Sequence, residues 1–208
     1  MTKRVLVLDT TMGNLTSVAR ALSRAGADVT VSGGASAVAS ADRLVVPGQG
    51  HFRDCARVFD GALGDAVREH LARERPYLGI CLGMQILFDS SEEAPGVTGL
   101  GVFGGAVKKL ERRPDPADPS RALKVPHMGW NLVKARHPML APEAWLYFVH
   151  SYHCVADDRR VVVGTCEYGA EITAAVARGT LLAVQFHPEK SQDAGAALLE
   201  AFVEDRWS

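Results

Sequence analysis

Tyr77-Leu-Gly-Ile-Cys81-Leu-Gly-Met-Gln-Ile-Leu-Phe88 is the stretch that decides how this chain folds. Tyr77 to Cys81 is a short apolar run of buried-strand type, and the residues from Gly83 to Phe88 predict the opening of a helix. Cys81 stands at the junction, with glycine two residues before it and two after it. Small residues there let a strained strand-to-helix turn hold a side chain out at the strand's carboxyl end. This is the nucleophile-elbow pattern with cysteine in the serine position. A helix N-terminus behind the thiol favours its anionic form and presents backbone N–H groups. With 20 glycines and four cysteines in the chain, composition alone gives about 0.04 such matches. The motif is therefore read as chemistry.

Outward from this stretch, strands and helices alternate. Arg4 to Leu8 reads as a buried strand. Leu15, Val18, Ala19 and Leu22 then recur at helical spacing, between Asn14 as N-cap and Gly26 beyond the end. Asp28 to Val31 and Arg43 to Val46 predict two more strands, and Ala62 to Arg73 another helix. Such alternation predicts an open, mainly parallel sheet flanked by helices. The second half changes character. Leu100 to Leu110 is Gly-rich and apolar, and Arg112 to Arg121 holds three prolines and reads as an exposed turn. Residues 123–135, 144–156, 161–168, 172–179 and 180–186 predict short strands forming an antiparallel extension. Ala194 to Val203 predicts a closing helix. Without repeats or a linker, the expectation is one domain over residues 1–208.

Composition excludes several classes. The 208 residues are 47% hydrophobic, with 23 Lys and Arg against 24 Asp and Glu, and no basic run exceeds two residues. That balance argues against a nucleic-acid partner. Only four apolar residues follow the opening Met-Thr-Lys-Arg before Asp9, too few for a signal-peptide core, and no stretch is long enough to span a membrane. Cys55, Cys81, Cys154 and Cys166 form no CxxC pair, which argues against a structural zinc site. Reduced thiols and a cytoplasmic location are expected.

A nucleophilic thiolate needs a base and a group to orient it. His187 follows the apolar run Leu181 to Val184, and Pro188 sets the backbone so that His187 and Glu189 project to one side, as base and orienter. Pro47-Gly-Gln-Gly50 ends the third strand, where ligands of open parallel sheets bind and backbone N–H groups can meet a developing oxyanion. His150 and His153 are discounted as a metal pair, because on an extended strand they point to opposite faces.

Gly79-Ile-Cys-Leu-Gly-Met-Gln85, Pro47-Gly-Gln-Gly50 and Gln185-Phe-His-Pro-Glu189 together resemble the class I (triad) glutamine amidotransferases, whose fold is flavodoxin-like. Val125-Pro-His-Met-Gly-Trp-Asn131, Tyr147-Phe-Val-His-Ser-Tyr152 and the extension Lys190-Ser-Gln192 resemble, within that family, the glutaminase subunits of imidazole glycerol phosphate synthases. The resemblance runs nearly end to end. It implies hydrolysis of glutamine to glutamate and ammonia, in a heterodimer with a (β/α)₈-barrel cyclase subunit to which the ammonia is channelled. The cyclase forms imidazole glycerol phosphate and an aminoimidazole carboxamide ribonucleotide, a step of histidine biosynthesis. The implied chemistry requires no metal and no organic cofactor. The resemblance further implies Cys81 as nucleophile, His187 as base and Glu189 as orienter. It places the oxyanion-hole N–H groups at Gln49 and Leu82, where many relatives carry valine at the position of Gln49. It assigns Gly48, Gly50, Gln85, Glu93, Ser151 and Tyr152 to glutamine binding, with Glu93 facing the α-ammonium. It assigns His127, Met128, Trp130, Asn131 and Lys190 to the cyclase interface.

Three other readings stay open on the sequence. One is a glutaminase of this fold serving another synthase, for anthranilate or pyridoxal phosphate. Another is a thiol hydrolase of related fold, such as a cysteine peptidase. The third is a regulatory module without activity.

Overall fold

Alternating apolar residues on the inner strands build two cores, one on each face of the sheet. In β1 (Lys3–Leu8), Val5 and Val7 point to one face and Leu6 and Leu8 to the other; all four are buried. The computed structural model describes residues 3–11, 14–115 and 118–207. After β1 come α1 (Leu15–Arg24), β2 (Ala27–Ser32), α2 (Ala35–Ser40), β3 (Leu44–Gly48), α3 (Phe52–Val58), α4 (Ala62–Ala72), β4 (Tyr77–Cys81) and α5 (Leu82–Gln85). The remainder is β5 (Phe88–Ser91), β6 (Phe103–Lys109), β7 (Pro114–Asp115), β8 (Asp118–Ala122), β9 (His127–Ala135), β10 (Glu143–His150), β11 (Tyr152–Ala156), β12 (Val162–Glu167), β13 (Glu171–Arg178), β14 (Leu181–Val184) and α6 (Gln192–Val203).

Among the described residues the main sheet has nine strands in the order β10-β9-β12-β13-β14-β4-β3-β1-β2. It is parallel from β2 to β14 and antiparallel from β14 to β10. Helices α1 and α6 cover the face of Val5, Val7 and Val45. The face of Leu6, Leu8 and Val46 packs on α2, α3, α4 and a small sheet of order β11-β6-β5. No helix among the described residues is long and apolar enough to cross a membrane.

The structure differs from the sequence expectations at four places. The helix expected from Gly83 is a single turn, because Leu100 N–H bonds the Ile86 carbonyl at 2.7 Å and Val102 and Phe103 bond that of Leu87. These contacts draw the chain into β5, paired with β6. Residues 144–156 are two strands in different sheets: β10 pairs with β9 and β11 with β6, the switch falling at Ser151. His150 and His153 are thereby separated. Helices α2 and α3 were not anticipated, although Phe52, Cys55, Ala56 and Phe59 carry an apolar face at helical spacing, all buried. The proline-rich segment forms the small hairpin β7–β8; its Pro116 and Ala117 lie outside the described residues.

Both glycines around Cys81 are required by close approach. A Cβ at Gly83 would lie 1.8 Å from the Val46 carbonyl oxygen on β3, and one at Gly79 would lie 2.5 Å from that of Gly83. The buried Tyr77 hydroxyl donates to the same Gly83 carbonyl at 3.1 Å. Gly83→Ala is therefore expected to force α5 off β3 and lower stability by about 2–3 kcal/mol. Urea denaturation of the purified variant measures this.

Candidate active site

Strand order brings the candidate residues together. β3, β4 and β14 are neighbours, with Gly48 opposite Cys81 and Val184 opposite Ile80. The Pro47–Gly50 corner, Cys81 and the Gln185–Glu189 segment therefore emerge at the carboxyl ends of three adjacent parallel strands. Cys81 has φ 54°, the left-handed region that a side chain rarely occupies. Gly48 has a role beyond its flexible backbone. A Cβ there would lie 2.9 Å from that of Leu82, so glycine lets the corner lie against the elbow.

His187 Nδ1 and Glu189 Oε1 are 2.8 Å apart, with both side chains buried. The tautomer follows: Nδ1 carries the proton donated to the carboxylate, and Nε2 is left toward Cys81. Nε2 itself is buried without a hydrogen bond of good geometry. Burial pushes the imidazole down, but hydrogen bonding toward Cys81 and Glu189 and the negative charge of both outweigh it. The ring is held up at about 9 instead of 6.5. Its backbone is clamped as well: His187 N–H bonds the Tyr147 carbonyl at 2.9 Å, and Ser191 Oγ donates to the His187 carbonyl at 2.7 Å. The one-turn α5, Leu82–Gln85, carries less macrodipole than the longer helix expected from the sequence.

The residues that gather on this frame also match a known family. The family described as glutamine amidotransferase class-I matches residues 6–205. The chain belongs to the class I glutamine amidotransferases. Its relatives include the imidazole glycerol phosphate synthase subunit HisH 1 of Pseudomonas aeruginosa, 45% identical over the whole of both chains. The subunit HisH of Deinococcus radiodurans is 47% identical over 95% of this chain and 92% of its own. Similarity to solved structures supports the fold: PurLQS from Thermotoga maritima superimposes with TM-score 0.76 at 17% identity, covering 99% of both chains.

In this amidotransferase the remaining site residues fall into two groups. Glu93 accepts from Phe52 N–H at 2.8 Å, which ties it to α3 just past Gly50. The Tyr152 hydroxyl lies near it: partial burial, then the charges of Glu93 and Glu92, raise the Tyr152 pKa. Gln85 is buried, and its Nε2 donates to the Tyr152 carbonyl at 3.1 Å and to Gln185 Oε1 at 3.0 Å. Ser151 is half-buried at the strand switch, its carbonyl accepting from Leu110 N–H.

The expected interface residues also divide. Met128 and Trp130 are 61% and 42% exposed, Trp130 packs edge-on against Tyr147, and Lys190 Nζ lies over the Tyr147 ring. Exposure of Trp130 rules out a core role. His127, by contrast, is buried between the rings of Phe148 and Tyr168 and cannot reach a partner. Burial pushes it down to about 4. Its neighbour Asn131 donates to the Glu167 carbonyl at 2.8 Å. Trp145, 60% exposed, is a surface aromatic that was not singled out from the sequence. Its signal was alternation with Tyr147 on one face of β10. Gln185, Ser191 and Tyr77 were also missed; Gln185 lies two residues before His187, where the chain bends after β14.

All four cysteines are free and buried. Burial pushes the Cys55 and Cys166 thiols up to about 12 and raises Cys154 well above its ordinary range. An electrophilic glutamine analogue is therefore expected to label Cys81 alone, read by peptide mapping. The raised His187 pKa means that its proton stabilises the fold fully below about pH 6.5, a contribution lost as pH rises through about 9. Glu189→Gln removes one charge that holds this proton, so the imidazole is expected to titrate lower, as followed by NMR.

Proposed function

We propose that this chain is the glutaminase subunit of an imidazole glycerol phosphate synthase, working in the cytoplasm as a heterodimer with the (β/α)₈-barrel cyclase. The observation that carries the reading is the buried His187–Glu189 pair set beside Cys81 on its elbow, in a chain about as long as its HisH relatives.

In this reading Cys81 Sγ attacks the glutamine carboxamide carbon. The Gln49 and Leu82 N–H groups receive the oxyanion; losing one such donor costs on the order of 10²–10³ in rate. The imidazolium of His187 gives its proton to the departing ammonia, leaving an acyl-thioester. His187 then takes a proton from water, which attacks the thioester and releases glutamate. Glu189 keeps the ring in the tautomer that both steps need. Glu93 and Tyr152 lie where they can meet the amino-acid end of glutamine. The ammonia passes to the cyclase, which docks on the exposed face of β9 and β10 around Met128, Trp130 and Lys190.

Glutaminase turnover measured with and without the cyclase subunit and its nucleotide tests the pairing; stimulation is expected, and its absence overturns it. Cys81→Ala is expected to abolish glutaminase activity while the complex still uses ammonium salts. Trp130→Ala is expected to weaken cyclase binding by about 30-fold or more, the effect of removing an aromatic hot spot. Titration calorimetry reads this, and because Trp130 is at the surface the thermal midpoint should stay put.

A further inference from the structure

Gln185 is fully buried two residues before His187, and its Nε2 donates to Cys81 Sγ at 3.5 Å. Its Oε1 accepts from Gln85 Nε2 at 3.0 Å, and Gln85 Nε2 also donates to the Tyr152 carbonyl at 3.1 Å. The Tyr152 carbonyl can only accept, so it settles that the Gln85 end facing it, and facing Gln185, is nitrogen. The oxygen of Gln185 must then face Gln85, and its NH₂ must face the sulfur. The reverse setting would oppose two NH₂ groups and turn a carbonyl oxygen on the thiolate. The Tyr152 carbonyl is held from its other side by His150 Nδ1 at 2.8 Å, and His150 Nε2 accepts from His127 Nδ1 at 3.0 Å. Every proton in this chain has one consistent place, and it ends as a donor on sulfur.

We propose that Gln185 is a further catalytic residue, which holds the Cys81 thiolate through an N–H···S bond, and that Gln85 is the positioning residue that fixes the direction of the Gln185 amide. The proposal rests on the reading of Cys81 as the nucleophile. An N–H donor favours the anionic form of the sulfur and aims one of its lone pairs, leaving another for the substrate carbon.

The test is the pH profile of Cys81 alkylation by iodoacetamide in the full chain, mapped by peptide. Hydrogen bonds to charged groups are strong enough that Gln185→Met should raise the midpoint by about one to two pH units, a roughly 10- to 100-fold loss of thiolate below it. Gln85→Met, which keeps the Gln185 donor but frees its orientation, should raise the midpoint by a smaller amount. That variant carries the test if Gln185→Met fails to fold, and a merely structural role would leave the midpoint unmoved. Profiles that superimpose on the parent overturn this inference and leave Cys81 as nucleophile. A parent chain whose Cys81 is not alkylated at any pH overturns the nucleophile reading itself, and this one with it.

Discussion

The contact of Gly83 with the Val46 carbonyl is the constraint on which the rest of the site depends. Because no Cβ intervenes, α5 lies directly on β3, and the chain must turn sharply at Cys81, whose φ of 54° is the result. A conformation of that kind costs about 1–3 kcal/mol and persists only where its surroundings over-determine it. Here they do so by three means: the Gly79–Gly83 contact, the Tyr77 hydroxyl on the Gly83 carbonyl, and the pairing of Gly48 with Cys81 across β3 and β4. The sulfur is held where three strand ends meet.

A second constraint ties the antiparallel half of the sheet to this point. β10 ends at His150 and the chain changes sheets at Ser151, so the carbonyl of Tyr152 arrives between His150 and Gln85. Three residues before His150 on β10, Tyr147 holds His187 through its backbone and presents its ring to Trp130 and Lys190. The exposed aromatic face and the imidazole are therefore linked through a single residue.

The electrostatics divide along the same line. His187 is the histidine held protonated, because Glu189 and Cys81 outweigh its burial; His127 and His150, equally enclosed, have no carboxylate and are pushed down to about 4 and about 3. Burial alone makes a neutral spacer of an imidazole, and a paired carboxylate makes it an acid.

The sequence by itself determined the elbow, the alternation of strand and helix in the first half, and the pairing of His187 with Glu189. Each rests on residues within a few positions of one another: glycines around Cys81, apolar period in β1 and β3, and a proline between base and orienter. Such local constraints are legible because sterics and periodicity act along the chain. Tertiary structure decided the rest. Nothing near Phe88 signals that the helix stops after one turn, because the cause is the Leu100–Phe103 segment pairing across it. Nothing near His127 marks it as buried, because Phe148 and Tyr168 enclose it from other strands. Gln85 and Gln185, a hundred residues apart, became one hydrogen-bonded unit only when β14 lay beside β4. Long-range pairing sets which polar groups are left with water and which must satisfy one another, and no local pattern encodes that choice.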